Sequence, residues 1–171
     1  MKRFAFAMTS LFAMGAFAID AADAQVRRGG VRGDNGAAAG QVHDREGPNG
    51  GRLVGGRGIV TDGEGNVATR SANCARGQSA QGCRAGGTTR SADGSMSHQS
   101  GLQASGANGA LDSSGGFTRS ADGTIDQGRS TTATGQNGAV TVDGAYTSDT
   151  GRSRTVTCTD ASGAVIACPT R

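Results

Sequence analysis

Few residues in this 171-residue chain can do chemistry, and four of them are cysteines. Cys74 and Cys83 lie nine apart and Cys158 and Cys168 ten apart, spacings that match neither a C-x-x-C redox pair nor a zinc ribbon. Such thiols pair in an oxidising compartment. Of the three possible connectivities, the local one (74 with 83, 158 with 168) would staple two hairpins, each contributing about 2 to 3 kcal/mol on the chain-entropy model. A redox role would need a neighbouring His, Lys or helix start to lower a thiol pKa, and none adjoins these positions.

Arginine is the one charged type present in quantity. From Gln25 onward the chain holds 15 Arg, no Lys and 12 Asp plus Glu. Arg27-Arg28-Gly29-Gly30 with Arg32 forms an RGG-like basic segment, and Arg90, Arg119, Arg152 and Arg154 recur further on. Guanidinium groups in this number can follow the backbone of a polyanion such as lipopolysaccharide, acidic polysaccharide or extracellular DNA. No aromatic residue stands near Arg27–Arg32 to stack on bases, so sequence-specific nucleic-acid binding is not expected. The competing reading is a solvated arm that keeps the chain soluble.

The remaining candidates are weaker. His43 and His98 are far apart and read as solvated loop residues; His43-Asp44-Arg45-Glu46 is at most a weak metal site. Asp62-Gly63-Glu64-Gly65-Asn66 begins like a calcium loop, but Val67 stands where the sixth-position Gly belongs and Asn73 where the twelfth-position Glu belongs, so a turn is expected instead. There is no Gly-x-Ser-x-Gly, no Gly-x-Gly-x-x-Gly and no phosphate loop with Lys. The expectation is a non-enzymatic protein without catalytic, cofactor or metal residues.

Any elements that position these residues must form from a core-poor chain. Residues 25–171 contain only 18 Val, Ile, Leu, Phe and Met, about 12%, against the roughly 20% that separates globular from disordered chains. Thirty glycines in the same stretch raise the entropic cost of ordering the backbone. A packed α/β enzyme with a deep pocket is therefore excluded. Ahead of this stretch, Met1-Lys2-Arg3, an apolar run Phe4–Ile19 and Ala22-Asp23-Ala24 have the layout of a cleavable secretory signal covering 1–24, with Ala18 as the rival cleavage point. The apolar run falls short of the ~20 residues that span a bilayer. Export to the periplasm, the cell surface or the medium follows, and no later stretch is apolar enough to be a membrane helix.

One phrase recurs through the rest: Asp or Asn, then Gly, a small residue and an aliphatic one. Asp93, Asn108, Asp122 and Asn137 are spaced by 15, 14 and 15 residues, and Thr89-Arg90-Ser91-Ala92-Asp93-Gly94 returns after 29 as Thr118-Arg119-Ser120-Ala121-Asp122-Gly123. Asp-Gly and Asn-Gly tolerate the positive φ angles of type I′ turns between antiparallel strands. Between turns, Arg152–Thr159 alternates as a strand does, with Arg152, Arg154, Val156 and Cys158 on one face. The fold class expected is all-β: short repeated hairpins in a meander or solenoid-like stack. They would share a thin core of Val67, Met96, Leu111, Ile125, Val140, Val142, Val156 and Val165 over 61–171, with a disordered Gly/Arg-rich segment at 25–60. The alternative is a largely disordered low-complexity chain.

The Thr-Arg-Ser-Ala-Asp-Gly and Thr-Gly-Gln-Asn-Gly-Ala-Val phrases resemble those of uncharacterised secreted bacterial proteins with degenerate Thr/Ser/Gly-rich repeats, and the resemblance implies no activity and no catalytic residue. Function is expected to be contact: a structural or surface-associated repeat protein, self-associating through unpaired strand edges, or the arginine-mediated polyanion binder described above.

Overall fold

The computed structural model describes residues 25–47 and 49–169; the proposed signal at 1–24 lies outside them. Among the described residues, eleven strands follow one another without a helix: β1 Gln25–Gly33, β2 Gly36–Glu46, β3 Arg52–Asp62, β4 Val67–Arg76, β5 Ala80–Arg90, β6 Met96–Gly106, β7 Gly109–Arg119, β8 Ile125–Gly135, β9 Gly138–Thr147, β10 Gly151–Asp160 and β11 Val165–Ile166. Each pairs antiparallel with the next, so sheet order equals chain order. No strand touches any but its sequence neighbours, and β1 and β10 do not meet to close a barrel. The result is an open, single-layer meander with both faces in solvent.

The turns carry this order. In Ser91–Ser95 and Ser120–Thr124 the fourth residue's N–H bonds back to the first carbonyl at 3.0 Å, and the first residue's N–H bonds to the fifth carbonyl at 2.9 Å. Only the fourth residue, Gly94 (φ 86°) or Gly123 (φ 91°), enters the left-handed region among the glycines there. These are three-residue loops with a G1 bulge, not the type I′ turns that Asp-Gly suggests, because Asp sits before the bulge and accepts a backbone bond instead. Asp93 accepts from the Ser95 N–H at 2.8 Å and Asp122 from that of Thr124 at 2.9 Å. The loops 62–66 and 160–164 place the acceptor first: Asp62 takes the Glu64 and Asn66 N–H groups at 3.0 and 2.8 Å, and Asp160 those of Ser162 and Ala164 at 2.9 and 3.0 Å. At the end of the sheet that also carries 160–164, Ala107-Asn108 and Gln136-Asn137 are two-residue loops, and the Gly after each Asn opens the next strand. Gly109 there has φ 151°, and a Cβ on it would collide with the Thr134 carbonyl of β8.

The expected shared core does not form. Val67, Met96, Leu111, Ile125, Val140, Val142 and Val156 do fall on one face of the sheet, with Val165 on the other, as the pairing register requires. No second layer covers them, however, so Val140, Val156 and Val165 are exposed and no described side chain is fully buried. Cys158, 3% exposed, and Ser113, 7%, are the most enclosed. Cross-strand polar pairs take the place of a core: Ser113–Thr131 at 2.8 Å, Thr132–Thr141 at 2.9 Å and Thr88–His98 at 2.8 Å. Each such pair is worth roughly 0.2–1 kcal/mol.

The segment 25–60, expected to be a disordered Gly/Arg-rich stretch, is built of strands. It forms β1, β2 and most of β3 in full register. Its apolar residues gain neighbours only across strands: Val31, Ala38, Val60 and Ala68 make one row from β1 to β4. Arg52 then pairs with Asp44, Nε to Oδ1 at 3.0 Å, between β3 and β2.

Candidate functional site

In a bulge-free antiparallel ladder, directly paired residues share a face and neighbours along a strand alternate. The register therefore assigns every strand residue to one of two faces. Linking β5 to β7 through β6, and β7 to β9 through β8, shifts the sequence by 29 residues per strand pair, so the 29-residue repeat is two strands long.

This assignment separates the charges. Arg28, Arg32, Arg45, Arg57, Arg84, Arg90, Arg119, Arg129, Arg152 and Arg154 all fall on one face. The strand carboxylates Asp44, Glu46, Asp62, Asp112, Asp126 and Asp143 fall on the other, together with Arg27, Arg52, Arg70 and Arg76, while Asp160, the last residue of β10, is the one described strand carboxylate on the arginine face. All ten arginines of the first face are exposed. Among the described residues the one salt bridge, Arg52 with Asp44, belongs to the second face. The Arg52 guanidinium holds the Asp44 carboxyl below its ordinary range.

Six of the seven sequence-predicted arginines (Arg28, Arg32, Arg90, Arg119, Arg152 and Arg154) thus come together, and Arg27 points the other way. Sequence reasoning missed Arg45, Arg57, Arg84 and Arg129. The 29-residue spacing carried part of the signal, since it relates Arg28 to Arg57 as it relates Arg90 to Arg119. Arg129 reaches furthest. Its stem lies over Gly115, where a Cβ would come 3.0 Å from the Arg129 Cβ, and its guanidinium donates to Ser113 Oγ at 3.0 Å and Ser100 Oγ at 3.1 Å. Neutral hydroxyls hold the group in place and leave its charge uncompensated.

The other candidates fall elsewhere. His43 and His98 are strand residues, not loop residues, on β2 and β6. His43 and Asp44 point to opposite faces and cannot share an ion; among the described residues no three His, Cys, Asp or Glu side chains could hold a metal. The Asp62 oxygens are taken up by Asn66 and the Glu64 N–H, which makes this loop a turn and keeps the Asp62 carboxyl below its usual range. The cysteines pair as 74–83 and 158–168, with Cα separations of 4.0 and 5.2 Å. The first joins directly opposed residues of β4 and β5; the second ties the segment beyond β11 to β10. Two shallow depressions, one around Ala104 and Leu111 and one around Val31 and Val60, are open to solvent. Among the described residues no helix is long and apolar enough to cross a membrane.

No protein-family model matches this chain, and neither the curated proteins nor the solved structures include a significant match.

Proposed function

We propose that this is an exported, non-enzymatic repeat protein that acts by contact, binding anionic polymers of the cell envelope or its surroundings through one face of its sheet. One observation carries the reading: ten exposed arginines share a face on which the one described strand carboxylate is Asp160, at the end of β10, where the Ser162 and Ala164 N–H groups engage it. Arginine presents a planar fork suited to sulfate, phosphate and carboxylate oxygens, and an open, arginine-rich sheet face can follow an extended polymer where a pocket could not. Export is supported by the Met1–Ala24 layout and by two disulfides, which persist in oxidising compartments.

The test is retention on heparin-like and lipopolysaccharide matrices. Engagement of about five arginines gives log affinity falling against log salt with a slope of roughly −4. Arg90→Ala with Arg119→Ala and Arg129→Ala should elute at clearly lower salt, whereas Arg70→Ala with Arg76→Ala, on the opposite face, should elute with the wild type. Equal elution of both variants would reject the reading.

A second reading, self-association, is favoured by two edges that no described strand covers: β1 along its outer side and Gly151–Thr157 of β10, beyond the two-residue pairing with β11. Both edges bear arginines, Arg28 and Arg32 on one and Arg152 and Arg154 on the other. Like charge opposes edge-to-edge pairing, so assembly is expected only once a polyanion neutralises them. Sedimentation with and without polymer tests this.

A further inference from the structure

We infer that the polymer this face is built for is a single-stranded nucleic acid, held by a row of rings flanked by arginines; the inference rests on the polyanion reading and narrows it. Phe117 and Tyr146 are the only Phe, Tyr or Trp residues from Gln25 onward. Both stand on the arginine face and on one rung of the sheet. The pairings His98 with Phe117, Phe117 with Gln127, Gln127 with Tyr146 and Tyr146 with Arg152 form an unbroken row across β6 to β10. Four strand spacings make that row about 19 Å long, enough for several nucleotides.

The row is prepared for flat ligands. His98 stacks on Phe117 with ring centroids 5.6 Å apart and planes 26° from parallel, and Thr88 Oγ1 fixes the imidazole through Nδ1 at 2.8 Å. All three rings are only half-buried. On the strands that carry the two aromatic rings, the preceding positions on the same face are Gly115 and Gly144, which leave room beside the rings for the arginine stems, that of Arg129 lying over Gly115. Arginines bracket the row: Arg129 and Arg154 one same-face step to one side, Arg119 one step to the other, and Arg152 at its end.

This combination selects among polyanions. An electrostatic track with aromatic platforms is what sequence-tolerant single-strand binding uses, because each base offers a π-face and each linkage a phosphate. Acidic polysaccharides and lipid headgroups supply the charge without the π-faces, and a duplex hides its base faces inside the stack. The exposed Gln127 amide between the rings can both donate to and accept from a base edge.

The experiment measures fluorescence anisotropy of a labelled oligothymidylate against the oxidised protein, with a polyuronate and dextran sulfate as parallel ligands. The variant is Phe117→Leu with Tyr146→Leu, which keeps apolar bulk and removes the π-systems; far-UV circular dichroism and disulfide mapping verify its fold, and Tyr146→Leu alone serves if the double variant fails. Stacking worth about tenfold per ring predicts a loss of about tenfold for the single variant and up to a hundredfold for the double one, with polyuronate binding unchanged. Oligothymidylate affinity unchanged in the variant would overturn the inference and leave polyanion binding standing. Failure to bind any of the three polymers would overturn both.

Discussion

Arg90 and Arg119 are 29 residues apart in the chain and occupy the same rung of the sheet, two strands apart, with Met96 of β6 paired to both. One repeat thus adds two strands and returns the backbone to the same direction, face and height. Two strand spacings set the two residues' backbones about 9.6 Å apart. A repeat of one strand would invert the direction, and a slip of one residue would carry every arginine to the carboxylate face.

Removal of a whole unit should therefore be tolerated. Deleting residues 91–119 joins Arg90 to Ser120 and rebuilds Thr-Arg-Ser-Ala-Asp-Gly at the seam, so β5 meets β8 as β7 did. Because each strand contacts only its neighbours, stability is a sum of local interfaces. The shortened protein should retain β-type circular dichroism and both disulfides by mass spectrometry. Deleting about half a unit, one strand and one turn, should abolish both, since the following strands would have to run backwards.

The turns were legible because Asp93-Gly94 and Asp122-Gly123 are local: an αL glycine and a carboxylate accepting from the backbone two residues on need no partner element. The cysteine pairing was legible for the same reason. The order of residues 25–60 was not, because composition averages along the chain whereas Val31, Ala38, Val60 and Ala68 become neighbours only after β1 to β4 align. Nor was the arginine face visible, because the side taken by Arg45, Arg57, Arg84 or Arg129 depends on the parity of the register. The two aromatic residues, 29 apart in sequence like Arg90 and Arg119, were hidden in the same way.

Gly109 and Gly128 should respond oppositely to alanine. Gly109 has φ 151° and no room beside the Thr134 carbonyl, so Gly109→Ala should lower unfolding free energy by about 1–3 kcal/mol. Gly128 has nothing within 4 Å of an added Cβ and an ordinary strand conformation. Gly128→Ala should be neutral or stabilising by up to about 1 kcal/mol through the unfolded state. Urea denaturation of both variants in parallel checks the pair.

Acid should loosen the turns before it breaks the ladder. Asp62, Asp93, Asp122 and Asp160 are each held below the ordinary value of 3.8, by Asn66, by Ser95, by the Thr124 N–H and by Ser162 respectively. A carboxyl with a depressed folded-state pKa contributes stability that is present above its unfolded pKa and lost as pH falls through the folded one. Stability should therefore be flat from neutral pH to about 4.5 and fall below about 4. Exchange protection should go first in the loops around 62–66, 91–95, 120–124 and 160–164. Protection unchanged at pH 3 would reject this account, and Asp122→Asn should remove the loss at its own loop alone.

The two disulfides should have unequal effects although they close loops of similar length. Cys74 and Cys83 face each other in mid-sheet, where opening would free β4 from β5 and break the ladder in two. Replacing both by Ser should cost about 2–3 kcal/mol of global stability, seen as a lower urea midpoint for the whole protein. Cys158–Cys168 ties only β11 and the residues after it to β10, with two rungs of pairing beneath. Cys168→Ala should release Val165 and Ile166 to fast amide exchange while the urea midpoint of the remaining sheet shifts by less than about 1 kcal/mol, because in a meander a frayed last strand leaves every earlier interface intact. A collapse of the whole sheet in Cys168→Ala would mean that β11 supports more than its own edge, and the nearest-neighbour description would fail with it.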